Sequence, residues 1–99
     1  MLFVSIYRPR EGVTEEAEKR IQQLFINWKA PDGFDIKAHY GFADGSGGVL
    51  IVEASSAAAV AEASSPWGPY IEIKTIPAVD VAEGVAIAQK VYAWRDSVR

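Results

Sequence analysis

Between Phe34 and Ala54 the chain reads FDIKAHYGFADGSGGVLIVEA, two apolar-patterned runs joined by a glycine-rich turn. Few folds accommodate such a stretch, because strand side chains alternate with period two and Asp-Gly or Gly-Gly between alternating runs signals a hairpin. The first run, Phe34 to Phe42, separates Phe34, Ile36, Ala38, Tyr40 and Phe42 from Asp35, Lys37 and His39. The second, Val49 to Ala54, is apolar on both faces until Glu53. An unbroken apolar run predicts a strand covered from both sides.

The flanking segments extend this hairpin into a sheet. Leu2 to Tyr7 alternates as a strand and ends near Arg8, since Pro9 cannot donate to a ladder. Thr14 is placed to cap a helix whose first turn holds Glu15 and Glu16. Ala17, Ile21, Leu24, Phe25 and Trp28 form its apolar stripe, and Pro31-Asp32-Gly33 stops it. After the hairpin, Ser55 or Ser56 caps an alanine-rich helix running to about Ser64, in which Ala57, Ala58 and Ala61 are expected against the sheet. Tyr70 to Ile76 makes a fourth strand, with Ile71, Ile73 and Thr75 on one face. Asp80 and Glu83 form a capping-box pattern for a last helix, whose Val81, Val85, Ala88, Val91, Tyr92 and Trp94 make a broad apolar face.

Strand-helix-strand-strand-helix-strand-helix is the split βαβ arrangement. The prediction is one α+β, ferredoxin-like domain over 1–99: a βαββαβ core over 1–80 and an extra C-terminal helix over 81–99. Right-handed crossovers give an antiparallel sheet of order 4-1-3-2 with helices on one side. The helix-covered face is expected to hold Leu2, Val4, Ile6, Ile36, Ala38, Tyr40, Leu50, Val52, Ile71 and Ile73. The open face would then carry Phe3, Ser5, Tyr7, Lys37, His39, Val49, Ile51, Glu53, Tyr70, Glu72 and Lys74. So much apolar area on an open face exceeds what a small monomer usually exposes, which predicts a homodimer through an isologous contact.

Several classes of partner are disfavoured. A net charge of −3, with ten scattered Lys and Arg, provides no basic stripe for nucleic acid. The chain lacks cysteine, so disulfides, thiol nucleophiles and Cys-based zinc sites are excluded, and a reducing compartment suits it. Met1 to Ile6 is too short for a signal-peptide core or a membrane span. The expectation is a cytoplasmic protein without a membrane partner. Gly45 to Gly48 lacks the Lys-Ser/Thr ending of a phosphate loop and leads into a strand.

The opening MLF, the segment Trp28-Lys29-Ala30-Pro31-Asp32-Gly33-Phe34, the glycine turn into VLIVEA and Pro77 after the last strand resemble one family of short bacterial proteins. That family is domain of unknown function 3303, and the resemblance covers roughly residues 1 to 80. The order of elements and the half-apolar open face also resemble the dimeric α/β-barrel superfamily. That likeness implies a barrel closed by two copies. It also implies functions as varied as cofactor-independent oxygenation of aromatics, lactone isomerisation, polyketide cyclisation and haem degradation, so the fold does not select a chemistry.

The candidate residues follow from the open-face assignment. His39, the one histidine, is the candidate base, and Glu53 the candidate carboxylate beside it. Hairpin register decides their relation: one pairing sets His39 opposite Glu53 as an acid-base dyad, another sets Lys37 opposite Glu53 as a cross-strand ion pair. Tyr7, Ile51, Trp67, Tyr70 and Glu72 are the candidate ligand-binding residues. The aromatics among them suit a pocket or a dimer interface equally. Trp28 and Trp94 are expected as core anchors. A metal would need His39, Glu53 and Glu72 together, without a second histidine or motif spacing, so none is expected. No cofactor is expected. Three functions remain open: a dimeric binder of a small aromatic or apolar ligand, a cofactor-independent enzyme using His39, and a structural dimerisation module.

Overall fold

The computed structural model describes all 99 residues. Its elements are β1 (Leu2–Pro9), α1 (Glu15–Ile26), β2 (Phe34–Gly41), β3 (Gly48–Ala54), α2 (Ala57–Ser64, followed by a 3-10 turn at Ser65–Trp67), β4 (Ile71–Ala78) and α3 (Val81–Ser97). One four-stranded sheet runs β2-β3-β1-β4, antiparallel throughout, which is the expected 4-1-3-2 order read from the other edge. α1 and α2 lie on one face, as a ferredoxin-like fold requires.

Local chemistry fixes the element ends. Thr14 Oγ1 accepts from the Ala17 amide at 3.2 Å and Ser56 Oγ from the Ala59 amide at 3.1 Å, so each helix begins on a hydroxyl cap. α1 stops at Ile26, two residues before Trp28, where the Asn27 side chain donates back to the Gln23 carbonyl at 2.8 Å. β1 continues to Pro9, beyond the expected end at Arg8. Pro9 pairs only with Ile71 of β4, because β3 ends its ladder two residues earlier at Tyr7–Gly48 and places no demand on the missing N–H of Pro9. In the hairpin turn, Gly45 and Gly47 take positive φ, and Asp44 accepts from the Ser46 amide at 2.9 Å.

Two face assignments differ from the sequence expectation. On β1, Phe3, Ser5 and Tyr7 point toward the helices, and Leu2, Val4 and Ile6 toward the open side. The pairs Phe3↔Val52 and Phe3↔Pro77 set this, with Phe3 and Val52 both buried in the core. On β2, a bulge inserts Lys37 between the pairs Ile36↔Val52 and Ala38↔Ile51. One extra residue inverts the parity of everything after it. His39 therefore turns to the helix side, opposite Leu50, while Ala38 and Tyr40 move to the open face. Neither expected register occurs, for Glu53 sits opposite Asp35. It accepts from the Met1 ammonium at 2.8 Å, and Asp35 takes Lys37.

The core is small and lies under α2. Val52 is fully buried, with Phe3 and Ala54 beside it and Phe34, Ile36, Leu50 and Val60 packed around. α2 seats through Ala59 and Ala63, whereas Ala57, Ala58 and Ala61, expected there, face solvent. α3 departs further from expectation. Asp80 makes no side-chain cap bond, and no residue of the helix is buried. Trp94, expected as a core anchor, is 67% exposed. No helix is long and apolar enough to cross a membrane.

Candidate functional site

Under α1 the sheet and helix do not meet; between them lies a cavity of about 230 Å³. Its floor is the helix-facing side of β1, β3 and β4, through Ser5, Leu50, Ile71 and Ile73. Its roof is α1 with the residues after it, through Ile21, Phe25 and Trp28. Trp67, brought in by the 3-10 turn after α2, closes one wall, and its indole N–H donates to the Ala63 carbonyl at 3.0 Å. Ten of the thirteen lining residues are hydrophobic.

The roof and walls form an aromatic cluster. Phe25 stacks on Trp28 with centroids 6.2 Å apart and tilts against Trp67 at 6.2 Å. Trp28 meets Trp67 edge-on at 5.6 Å and Phe34 edge-on at 6.4 Å. Rings in these arrangements attract one another beyond their buried area, which holds α1 at a distance set by ring size. That spacing leaves the cavity open.

One polar group pair faces this apolar space. Tyr7 Oη and His39 Nε2 lie 2.7 Å apart, a hydrogen bond in which either atom donates according to the imidazole tautomer. Phe25 covers the imidazole edge-on at 5.7 Å, and the Tyr7 ring stands at 71° to it. Burial pushes the Tyr7 hydroxyl above the ordinary tyrosine range, since the phenolate would be desolvated. Gly48 is required here. A Cβ at Gly48 would run into the Tyr7 ring and stand 2.7 Å from the Tyr40 carbonyl, so only glycine lets the phenol lie across β3. Deeper in, Ser5 Oγ and Thr75 Oγ1 satisfy each other at 2.9 Å across β1 and β4.

Of the residues singled out from sequence, Tyr7, His39 and Trp67 line one cavity. The others lie elsewhere. Ile51, Glu53 and Glu72 are on the opposite face of the sheet, Glu53 bound to the N-terminus and Glu72 to Arg8 at 2.7 Å. Arg8 beside Glu72 holds its carboxyl below the usual carboxylate range. Tyr70 precedes β4 and lies in a shallow surface groove beside α1 residues such as Thr14 and Arg20. With the sheet between His39 and both glutamates, neither an acid-base dyad nor a shared metal site can form from them, and no cluster of three His, Cys, Asp or Glu side chains occurs. Phe25, Phe34 and Ile21 were not anticipated as cavity residues. Their signal was present in the aromatic-heavy stripe of α1, which reads as core unless the sheet beneath it is known to hold small residues such as Ser5.

Fold and cavity define a ferredoxin-like α+β domain with an aromatic-walled chamber beneath its first helix. The family model described as Domain of unknown function (DUF3303) matches residues 1–92, and the chain belongs to that family. The match runs past the residues 1 to 80 expected from motif resemblance and takes in most of α3. No curated protein and no solved structure matches the chain.

Proposed function

We propose that this protein binds a small, largely apolar aromatic molecule in the cavity between the sheet and α1, and that it does so as a cytoplasmic homodimer. The carrying observation is the chamber of about 230 Å³ with aromatic walls and one hydrogen-bonded aromatic pair, Tyr7 and His39. An engineered apolar cavity of about 150 Å³ accepts benzene. This chamber therefore suits one ring with substituents or two fused rings. In either tautomer the pair keeps an N–H or O–H free to donate and a lone pair free to accept. A ligand carrying one hydroxyl or carbonyl on an aromatic frame meets both requirements. Dimerisation is supported by the open face, where Leu2, Val4, Ile6, Val49 and Ile51 gather without a covering layer.

The test is titration of the protein with 2-naphthol and with naphthalene, following the fluorescence of Trp28 and Trp67. Saturable quenching is expected for both, several-fold tighter for the naphthol, with that preference lost in Tyr7→Phe. Absence of saturable quenching by either compound overturns the reading.

The contact between Tyr7 and His39 favours a second reading, a cofactor-independent enzyme in which His39 takes a proton from a bound phenol or lactone. Here the imidazole would act without Glu53, leaving Tyr7 as its hydrogen-bond partner. His39→Ala separates the two. A binding protein keeps ligand affinity within a few-fold, whereas an enzyme keeps affinity and loses turnover of the ligand recovered by native mass spectrometry.

A further inference from the structure

α3 is a helix of 17 residues with no buried side chain. Val81, Val85, Ile87, Val91, Tyr92 and Trp94 are all at least 41% exposed. At 100° per residue they fall within one half of the helix surface, which also carries Arg95 laid over the Tyr92 ring, with Glu83, Lys90 and Asp96 on the other half. An isolated helix of this length is marginal in water, and most helix stability comes from packing an apolar face. The molecule measures 61 Å along its long axis against 30 and 21 Å on the others. β4 and α3, at about 3.3 and 1.5 Å per residue, are each about 26 Å long. Laid end to end they account for most of that length, so α3 continues outward from β4. Only Val79 and Asp80 join the two elements, and α3 lies beyond reach of its own sheet.

The same chain carries one other uncovered apolar surface, the open side of the sheet. Leu2, Val4 and Ile6 of β1 and Val49 and Ile51 of β3 run down its centre, with Tyr40 and Ile76 exposed to either side. Four strands at about 4.8 Å spacing, each about 25 Å long, offer a platform that a helix of about 26 Å spans once. Sheet-on-sheet contact would cover this platform and leave both helices in water. Reciprocal exchange covers all four surfaces through two helix-on-sheet contacts, and so uses all the uncovered apolar area the chain has toward the roughly 1,200–2,000 Å² that a stable interface buries.

We propose that α3 is an exchanged arm: in a two-fold dimer, the α3 of each copy lies on the open sheet face of the other. This rests on the homodimer reading above and names the element that makes the contact. An isologous exchange of this kind closes on itself, so the assembly stops at two.

The chain has no cysteine, so single thiols can be placed on a clean background. Full-length Val91→Cys and Ile51→Cys are purified, mixed, allowed to exchange and oxidised, with wild-type mass measured by sedimentation across the micromolar range. A dimer mass with a disulfide joining one variant to the other, in several-fold excess over either variant alone, is the expected result, because a disulfide needs Cα atoms within about 7 Å. A dimer in which Ile51→Cys instead links to itself means sheet-on-sheet packing; it overturns the arm and leaves the homodimer standing. A dimer with neither crosslink overturns the arm as well. A monomer overturns both readings, and an open-ended series of larger species overturns the closed two-fold.

Discussion

α1 and α2 cover the same face of one sheet in opposite ways. α2 presents alanines and sits against the strands, with Ala59 only 5% exposed and Val60 packed on the core around a fully buried Val52. α1 presents Ile21 and Phe25, with Trp28 just beyond its end, and buries none of its residues; Phe25 remains 45% exposed. Small side chains let a backbone approach until little space remains between layers, whereas large rings prop it away and pack against each other. The stable half of this domain is built from its smallest apolar side chains, and the hollow half from its largest. A chamber at the hollow end costs packing energy, since wall atoms lacking neighbours forfeit dispersion contacts.

The contrast makes graded predictions. The largest effect is expected from Val52→Ala, which removes two methyl groups from the fully buried position and should lower the unfolding free energy by about 2–3 kcal/mol in a urea titration. Ala59→Leu should cost about 1–3 kcal/mol, because the buried Ala59 of α2 has no room for the extra carbons and the helix must lift off the sheet. If Ala59→Leu were tolerated without loss, the tight half would be no tighter than the hollow one. On the hollow side, Ile21→Phe adds volume facing the chamber and should instead raise stability, by about 0.5–1 kcal/mol, while abolishing naphthol quenching. Tyr7→Phe should change stability by no more than this, about 0.5 kcal/mol in the opposite direction, the lower end of the range for one hydrogen bond because this one is exposed.

Tyr7 also gives the chamber a pH signature. Its hydroxyl holds its proton above the ordinary tyrosine value of 10.0, so folded and unfolded chains differ only in alkaline solution. Below that value both are protonated and its contribution is intact. As pH rises past 10.0 the unfolded chain ionises first, and stability falls until the folded hydroxyl also titrates. Tyrosinate absorbance should therefore show one late-titrating group that Tyr7→Phe removes, and the alkaline loss of stability should be shallower in that variant.

The sequence carried the sheet order because hairpin, crossover handedness and caps are local or nearly so. Thr14 and Ser56 act where hydroxyls at helix starts are expected to act. Tyr7, His39 and Trp67 were legible as chemistry-bearing residues, being polar or amphipathic side chains in otherwise apolar strands and loops. The face that Tyr7 and His39 share was not, since both were expected on the open side and both lie on the helix side. Asp35 to Tyr40 alternates without interruption on paper, so nothing local announces the bulge at Lys37 that turns His39 to the helix side, where it lies exposed at the cavity rim. On β1 both faces are plausible cores. Leu2, Val4 and Ile6 form the more aliphatic set, yet Phe3, Ser5 and Tyr7 face the helices because Gly48 opposite Tyr7 admits the ring.

Sequence by itself thus determined which segments become strands and helices, the order of the strands, and the side of the sheet on which α1 and α2 lie, since these follow from periodicity, turn chemistry and the handedness of short crossovers. Tertiary structure alone decided which face each strand residue occupies and where α3 points. A single inserted residue inverts a strand, and only pairing with the neighbouring strand reveals the insertion. The same dependence separates Glu53 from His39 and joins His39 to Tyr7.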